Sequence, residues 1–238
     1  MTAAVIFDVD GTLVDSNDLH AACWSETFRS FGYDIGADAV RPHIGKGGDQ
    51  LIPALLPAAD AEREAQRLQH HRASLFERCY QDRVKPFSKV RALMERLRAS
   101  GIRIVLGSSG KAEEVDRSKN LLGIRDLVED ATTADDAERS KPHPDIFAAA
   151  LARLAPIELE RVLVIGDTPY DAQAASAAGL STIGLTSGGF GESDLRAAGC
   201  IRVYRDIEDL LEHYDASPIA RLIGEAPAPR LVPPQGSA

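Results

Sequence analysis

The chain has 238 residues, 44% hydrophobic and 26% charged, with 19 Gly and 13 Pro, a globular make-up that excludes collagen, coiled coil and wholesale disorder. A net charge of -9 argues against a nucleic-acid backbone or an anionic membrane as the main partner, because both require a clustered basic face. Cys23, Cys79 and Cys200 are too few and too scattered for a disulfide framework or a zinc site, and neither a leader-like segment nor an apolar run of about 18 residues occurs, so a cytoplasmic chain is expected.

Short apolar runs alternate with amphipathic stretches, which predicts an α/β fold with a Rossmann-like parallel sheet core flanked by helices. The first predicted strand covers residues 4–7 and ends in Asp8-Val9-Asp10-Gly11-Thr12. Side chains alternate along a strand, so Asp8 and Asp10 are expected on one side of its carboxyl end, where open parallel sheets place ligands. Residues 15–85 then break the alternation with helical periodicity alone and read as an inserted all-helical unit. Its first helix is expected to start at Asp15 or Ser16, whose side-chain oxygens can cap free amides, and to end at Gly32. His20 and Trp24 lie one helical turn apart on it, a spacing that allows the histidine to pack beside the tryptophan. Arg41-Pro42-His43-Ile44-Gly45-Lys46-Gly47-Gly48-Asp49 is either a specificity loop, with Arg41, His43 and Lys46 meeting an anionic substrate, or a solvated charged loop. His70 and His71 lie in a strongly charged helix and read as solvent face.

Pro86 marks the return to the main unit, so the core is expected over 1–14 and 86–215. Phe87, Val90, Leu93, Met94 and Leu97 fall at helical spacing before a strand at 102–106. That strand runs into Gly107-Ser108-Ser109-Gly110-Lys111 and a helix beginning near Lys111. Taken singly, either serine reads as a cap; together with the free amides, Ser108, Ser109 and Gly110 form a phosphate cradle. Lys141 sits in Ser140-Lys141-Pro142-His143-Pro144, stiffened by two prolines so that its charge can be held in place. Ile146, Ala150, Leu151 and Leu154 form a helical core face before a strand at 162–165, which leads into Gly166-Asp167-Thr168-Pro169-Tyr170-Asp171. Asp8, Asp10 and Asp167 are thus expected to meet at one sheet edge. Converging carboxylates repel unless a cation sits among them, and hard oxygen ligands of this kind select magnesium. A further strand is predicted over 181–185, and residues 216–238, rich in Pro and Ala, read as a tail without regular structure, ordered only if it docks.

These four segments, in this order, resemble the motifs of the haloacid dehalogenase-like superfamily, in its phosphatase and phosphomutase branch with a helical cap inserted after the first motif. The resemblance covers residues 1 to about 210. It implies that Asp8 is the nucleophile, Asp10 the general acid/base, Ser108 the second-motif hydroxyl, Lys141 the third-motif lysine, and Asp167 and Asp171 the acidic pair, and His20 and Trp24 resemble substrate-facing cap-helix positions of the superfamily's sugar-phosphate mutases and phosphatases. Magnesium is then held by Asp8, the backbone carbonyl of Asp10, and Asp167, while Asp171 orients Lys141 and the metal waters. Asp10 argues against carbon–halogen displacement, which needs no acid for a leaving oxygen. The implied function is a magnesium-dependent phosphomonoesterase acting on a small phosphorylated metabolite such as phosphoglycolate or a sugar phosphate, as monomer or homodimer. A phosphomutase would use the same residues, and a non-catalytic binding module would not need all six intact.

Overall fold

The structure, a computed structural model, describes residues 2–223. In chain order it comprises β1 (Ala3–Phe7), β2 (Val14–Asp15), α1 (Asn17–Ser30), α2 (Ala37–Val40), α3 (Gly48–Leu55), α4 (Ala58–Cys79), β3 (Lys85–Pro86), α5 (Val90–Ala99), β4 (Ile102–Gly107) and α6 (Ala112–Leu122). There follow β5 (Asp130–Thr132), α7 (Asp145–Leu154), β6 (Val162–Gly166), α8 (Pro169–Ala177), β7 (Ser181–Leu185), α9 (Glu192–Ala197), β8 (Cys200–Tyr204), α10 (Ile207–Glu212) and α11 (Pro218–Ile223).

The main sheet is parallel throughout, in the order β5-β4-β1-β6-β7-β8. All five residues of β1 are buried, as expected for a central parallel strand covered on both faces. Its alternation sorts them: Val5 and Phe7 join the apolar layer that includes Leu93, Met94 and Leu97 of α5, whereas Ala4 and Ile6 join Ile146, Phe147 and Ala150 of α7 on the opposite face. The chain leaves β1 toward β4 and leaves β6 toward β7, so the direction of winding reverses between two neighbouring strands. A crevice opens outside their carboxyl ends at such a reversal.

The four strands expected from the sequence are present, and the structure adds β5, β8 and a two-residue pairing of β2 with β3. β5 and β8 lie at the sheet edges, where one flank stays exposed and the apolar signal is diluted by residues such as Asp130 and Arg202. The β2–β3 pairing brings Asp15 beside Lys85 and so closes the chain around the intervening helices. α1–α4 surround an apolar cluster of their own that includes Trp24, Phe28, Leu51, Ile52 and Leu68. α1 stops where predicted: Phe31 is its C-cap and Gly32 follows at φ 86°, a left-handed conformation that suits glycine.

The expected unstructured tail needs correction at its start. Residues 218–223 form α11, and Ile219 and Leu222 are buried in the same apolar layer as α5. Pro218 occupies the first helical position, where its missing N–H costs nothing. The rest of the expected tail, 224–238, lies outside the described residues.

Candidate active site

The reversal point holds the acidic residues. Asp8 follows β1 directly and its amide donates to the Ile165 carbonyl of β6 at 2.9 Å, which continues the ladder one step and fixes the backbone that carries the carboxylate. Asp167 follows β6, and Asp171 lies in the first turn of α8. Ligand oxygens of Asp8, Asp167 and Asp171 all lie within 4.8 Å of one another. The Asp10 carboxylate, expected in this group, is turned away from it: it accepts from Ser16 Oγ at 2.6 Å and pairs with His20 Nε2 at 2.9 Å. β1 ends at Phe7, so strand alternation no longer governs Asp10, which lies in the turn leading to β2.

One ammonium serves this cluster. Lys141, 1% exposed, places Nζ 2.5 Å from Asp8 Oδ1, 2.7 Å from Asp171 Oδ1 and 2.8 Å from the Gly107 carbonyl. Burial alone would depress the lysine, but the carboxylates of Asp171 and Asp8 outweigh it and hold the amine above its ordinary value. Burial also pushes the Asp8 carboxyl up to about 7, against the pull of Lys141, and lifts Asp167 well above the carboxylate range, with the charges of Asp8 and Asp171 adding to the rise. Asp10 has the opposite balance: burial would raise it, but His20, Ser16 and Arg72 together hold it below its ordinary value.

Asp171 is fixed by a capping box in which Thr168 Oγ1 donates to its Oδ2 at 2.7 Å and accepts from its amide at 3.2 Å. Asp167 accepts from Thr12 Oγ1 at 2.9 Å and from Asn17 Nδ2 at 2.8 Å. Gly11, at φ 76°, and Gly188 let the backbone pass so near Asp167 that a Cβ at either position would collide with its carboxylate. Of the three buried carboxylates, Asp8 and Asp171 share the Lys141 ammonium while Asp167 has only neutral donors, and the Asn17 amide oxygen is buried beside them with no partner among the described residues. That donor set and surplus of negative charge fit a small hard cation.

Ser108 is buried, and its Oγ accepts from the Gly110 amide at 3.0 Å, so hydroxyl and turn are locked together after β4. Ser109, expected in the cradle, sends its hydroxyl to the Gly45 carbonyl at 3.3 Å instead. α6 starts after Lys111, where the sequence placed it.

The residues expected on the helical insertion separate. His20 meets the core: besides Asp10 it stacks on Phe76 at 4.2 Å between centroids, and its Nδ1 lies 2.5 Å from Arg72, whose other arm reaches Glu114 at 2.8 Å. Trp24 packs on Phe28 at 5.6 Å inside the helical cluster, because the α1 face that turns toward α2 and α3 is apolar. Arg41 contacts Asp18 at 2.6 Å and the Gly188 carbonyl. Lys46 Nζ lies 3.1 Å from His43 Nδ1 and 4.7 Å from the centre of the Tyr170 ring, and burial lowers the pKa of both His43 and Lys46. His70 is exposed as expected, but His71 is half-buried against Phe31.

Ser16 lies at the α1 N-cap without capping it, since its hydroxyl goes to Asp10. Asn17, Arg72, Glu114 and Tyr170 were not singled out from the sequence, and little in it could have done so. Asn17 looks like any polar residue in a first helical turn, Arg72 is one charge among many on α4, and Glu114 looks like an N3 capping glutamate. The partners that matter here are far off in sequence, Asp167 and Gly188 for Asn17, Glu114 for Arg72 and the Pro42 carbonyl for Tyr170, at separations of 42 to 171 residues.

The family model for haloacid dehalogenase-like hydrolase matches residues 5–185. A phosphoglycolate phosphatase from Yersinia pseudotuberculosis is 34% identical over 195 residues, 79% of this chain and 83% of its own. A protein provisionally named pyrophosphatase PpaX from Caldanaerobacter subterraneus subsp. tengcongensis is 30% identical over 184 residues, 76% of this chain and 80% of its own. Among solved structures, a hydrolase from Pseudomonas syringae superposes with a TM-score of 0.83 at 30% identity, covering 90% of this chain and 99% of that one.

Proposed function

The chain belongs to the haloacid dehalogenase-like hydrolase family, and from that premise we propose that it is a magnesium-dependent phosphomonoesterase. Its substrate on this reading is a small phosphorylated metabolite, phosphoglycolate or a sugar phosphate, and its intermediate an aspartyl-phosphate on Asp8. The observation that carries the reading is the buried Asp8–Lys141–Asp171 arrangement beside Asp167 and the Ser108 turn. It offers a carboxylate nucleophile, one fixed positive charge and a hydroxyl within a single crevice.

Magnesium would be held by Asp8, Asp167 and the Asp10 backbone carbonyl, and it would supply positive charge to offset the phosphoryl oxygens. Lys141 engages Asp8 through Oδ1, which orients the carboxylate for in-line attack on phosphorus. As the Asp8–phosphorus bond forms and the ester bond breaks, the Lys141 ammonium, the Ser108 hydroxyl and nearby amides balance charge on the equatorial oxygens. Asp10 in its acid form delivers a proton to the leaving oxygen. As a carboxylate it then takes a proton from the water that hydrolyses the acyl-phosphate, and this is the form favoured by its pairing with His20. The helices of residues 15–85 act as the cap over this crevice, and the unpaired cysteines suit a cytoplasmic location.

Phosphate release from a panel of small phosphomonoesters, with magnesium or with excess chelator, tests the reading with Asp8→Asn as control. Release that needs both the metal and Asp8 is expected. Full rates in chelator, or wild-type rates from Asp8→Asn, would overturn it. Phosphorylation of Asp8 by acetyl phosphate without hydrolysis of any ester would point to the mutase instead.

A further inference from the structure

The loop of residues 41–49 meets the core at several points, and one of them differs in kind. Tyr170 donates to the Pro42 carbonyl at 2.6 Å, Arg41 reaches the Gly188 carbonyl, and Ser109 Oγ donates to the Gly45 carbonyl at 3.3 Å. Each of these contacts ends on a backbone oxygen. Asp49, in the first turn of α3, brings a carboxylate instead: its Oδ2 accepts from the Ser140 amide at 3.0 Å. Ser140 directly precedes Lys141. Among the described residues, no other hydrogen bond from the helical insertion reaches the segment 139–144.

The contact is closely fitted. A Cβ on Gly47 would fall 2.1 Å from Ser140 Oγ and 2.5 Å from Ser140 Cβ, so the loop backbone lies directly on the serine. Gln50 Nε2 donates to the same Asp49 oxygen at 2.9 Å and holds the carboxylate in place. Burial would raise the Asp49 carboxyl, but the Ser140 amide and Gln50 outweigh it and keep it below its ordinary value. An ionised acceptor makes the stronger kind of bond to an amide, and with that carboxylate removed the buried Ser140 would lose the partner of its N–H. The core supplies little in its place. Apart from the Lys141 side chain, the segment's own hydrogen bonds stay local: the Arg139 amide donates to Asp145 at 3.0 Å and the His143 amide to the Ser140 carbonyl at 3.1 Å.

Resting on the phosphatase reading above, we infer that Asp49 is a positioning residue for Lys141. Through the Ser140 amide it ties the lysine's segment to the helical insertion, so the ammonium is held in register with Asp8 and the transferring phosphoryl group only while the 41–49 loop is seated. Asp49 itself touches neither Asp8 nor Lys141. Its effect therefore falls on the rate of transfer, because the lysine's alignment matters most when charge develops on the equatorial oxygens.

Asp49→Ala and Asp49→Asn, assayed with p-nitrophenyl phosphate in magnesium, test this. Alanine should lower kcat about tenfold, change KM less than about twofold and slow acetyl phosphate labelling of Asp8 by a similar factor, whereas asparagine keeps an oxygen for the Ser140 amide and should stay within about threefold of wild type. Hydrogen exchange across residues 139–143 should quicken about tenfold in the alanine variant and much less in the asparagine one. Tyr170→Phe, which frees the same loop at Pro42, reports loop loosening alone and should leave kcat within about twofold. Should Asp49→Ala fold poorly, Gly47→Ala drives the loop off Ser140 with its added Cβ and should lower kcat in the same way. A wild-type kcat in the folded variant, a loss confined to KM, an equal kcat loss in Tyr170→Phe, or unchanged exchange at 139–143 each overturns the inference. If wild type neither turns over the ester nor takes label on Asp8, the phosphatase reading falls and takes this inference with it; if it does both and Asp49→Ala keeps its kcat, only the inference falls.

Discussion

Replacing the candidate nucleophile should stabilise the metal-free protein at neutral pH. Burial lifts the Asp8 carboxyl from its ordinary 3.8 to about 7. At about 1.4 kcal/mol per tenfold change in proton affinity, keeping Asp8 ionised costs the fold roughly 4 kcal/mol at pH 7.5. The folded value lies above the unfolded one, so stability from protonated Asp8 is complete below about pH 4 and is lost as pH rises through about 7. Asp167 is raised too and acts in the same direction, while the lowered imidazole of half-exposed His43 opposes both weakly. Asp8→Asn removes the charge at nearly constant shape but weakens the contact with Lys141, which returns part of the gain. The variant should therefore exceed wild type by about 1–3 kcal/mol at pH 7.5 in chelator, or about 2–10 °C in Tm. At pH 5 the gap should shrink by more than half, and magnesium at pH 7.5 should raise the wild-type Tm more than that of the variant. Thermal unfolding at the two pH values, with and without metal, measures all of this. A less stable Asp8→Asn at pH 7.5 in chelator, or a gap independent of pH, would refute the account of Asp8 as a buried carboxylate held at a cost.

Other expectations follow from single contacts. Asn17→Ala removes a bond to Asp167 and one to the Gly188 carbonyl, and should weaken magnesium binding about 10–100-fold by titration calorimetry with little loss of fold; unchanged affinity would remove Asn17 from the metal's surroundings. His20→Ala frees Asp10 from its imidazole partner, so Asp10 should protonate at higher pH and the acidic limb of the kcat profile should move up; an unmoved limb would detach His20 from Asp10. Tyr170→Phe removes the 2.6 Å bond to the Pro42 carbonyl that ties the 41–49 loop to α8, and hydrogen exchange in that loop should quicken about tenfold without change in global Tm. Equal exchange rates would show that the loop is held by its other contacts.

The layered fold was legible in the sequence, and so was the placing of Asp8, Ser108 and Asp167 just after strands, because both rest on short-range rules. A continuous apolar run such as residues 3–7 can only be a buried parallel strand or a piece of buried helix, and the turn chemistry at Asp8–Gly11 decided for the strand. The acidic and hydroxyl residues stood out because each follows such a strand, at the end where ligands collect. Edge strands β5 and β8 were not legible, since pairing on one side only leaves little apolar pattern. α11 was hidden by Pro218, whose position at a helix start becomes meaningful only when Ile219 and Leu222 find the core. Only the packed chain set the partners: that the Asp10 carboxylate turns from Asp8 and Asp167 to Ser16 and His20, that Trp24 packs inward while His20 on the same helix meets Asp10, and that Arg72 spans to Glu114. The reason is physical. The strength and sign of an interaction between charges depend on separation and burial, and for residues more than a hundred positions apart, such as Lys141 and Asp8, the packed chain sets both.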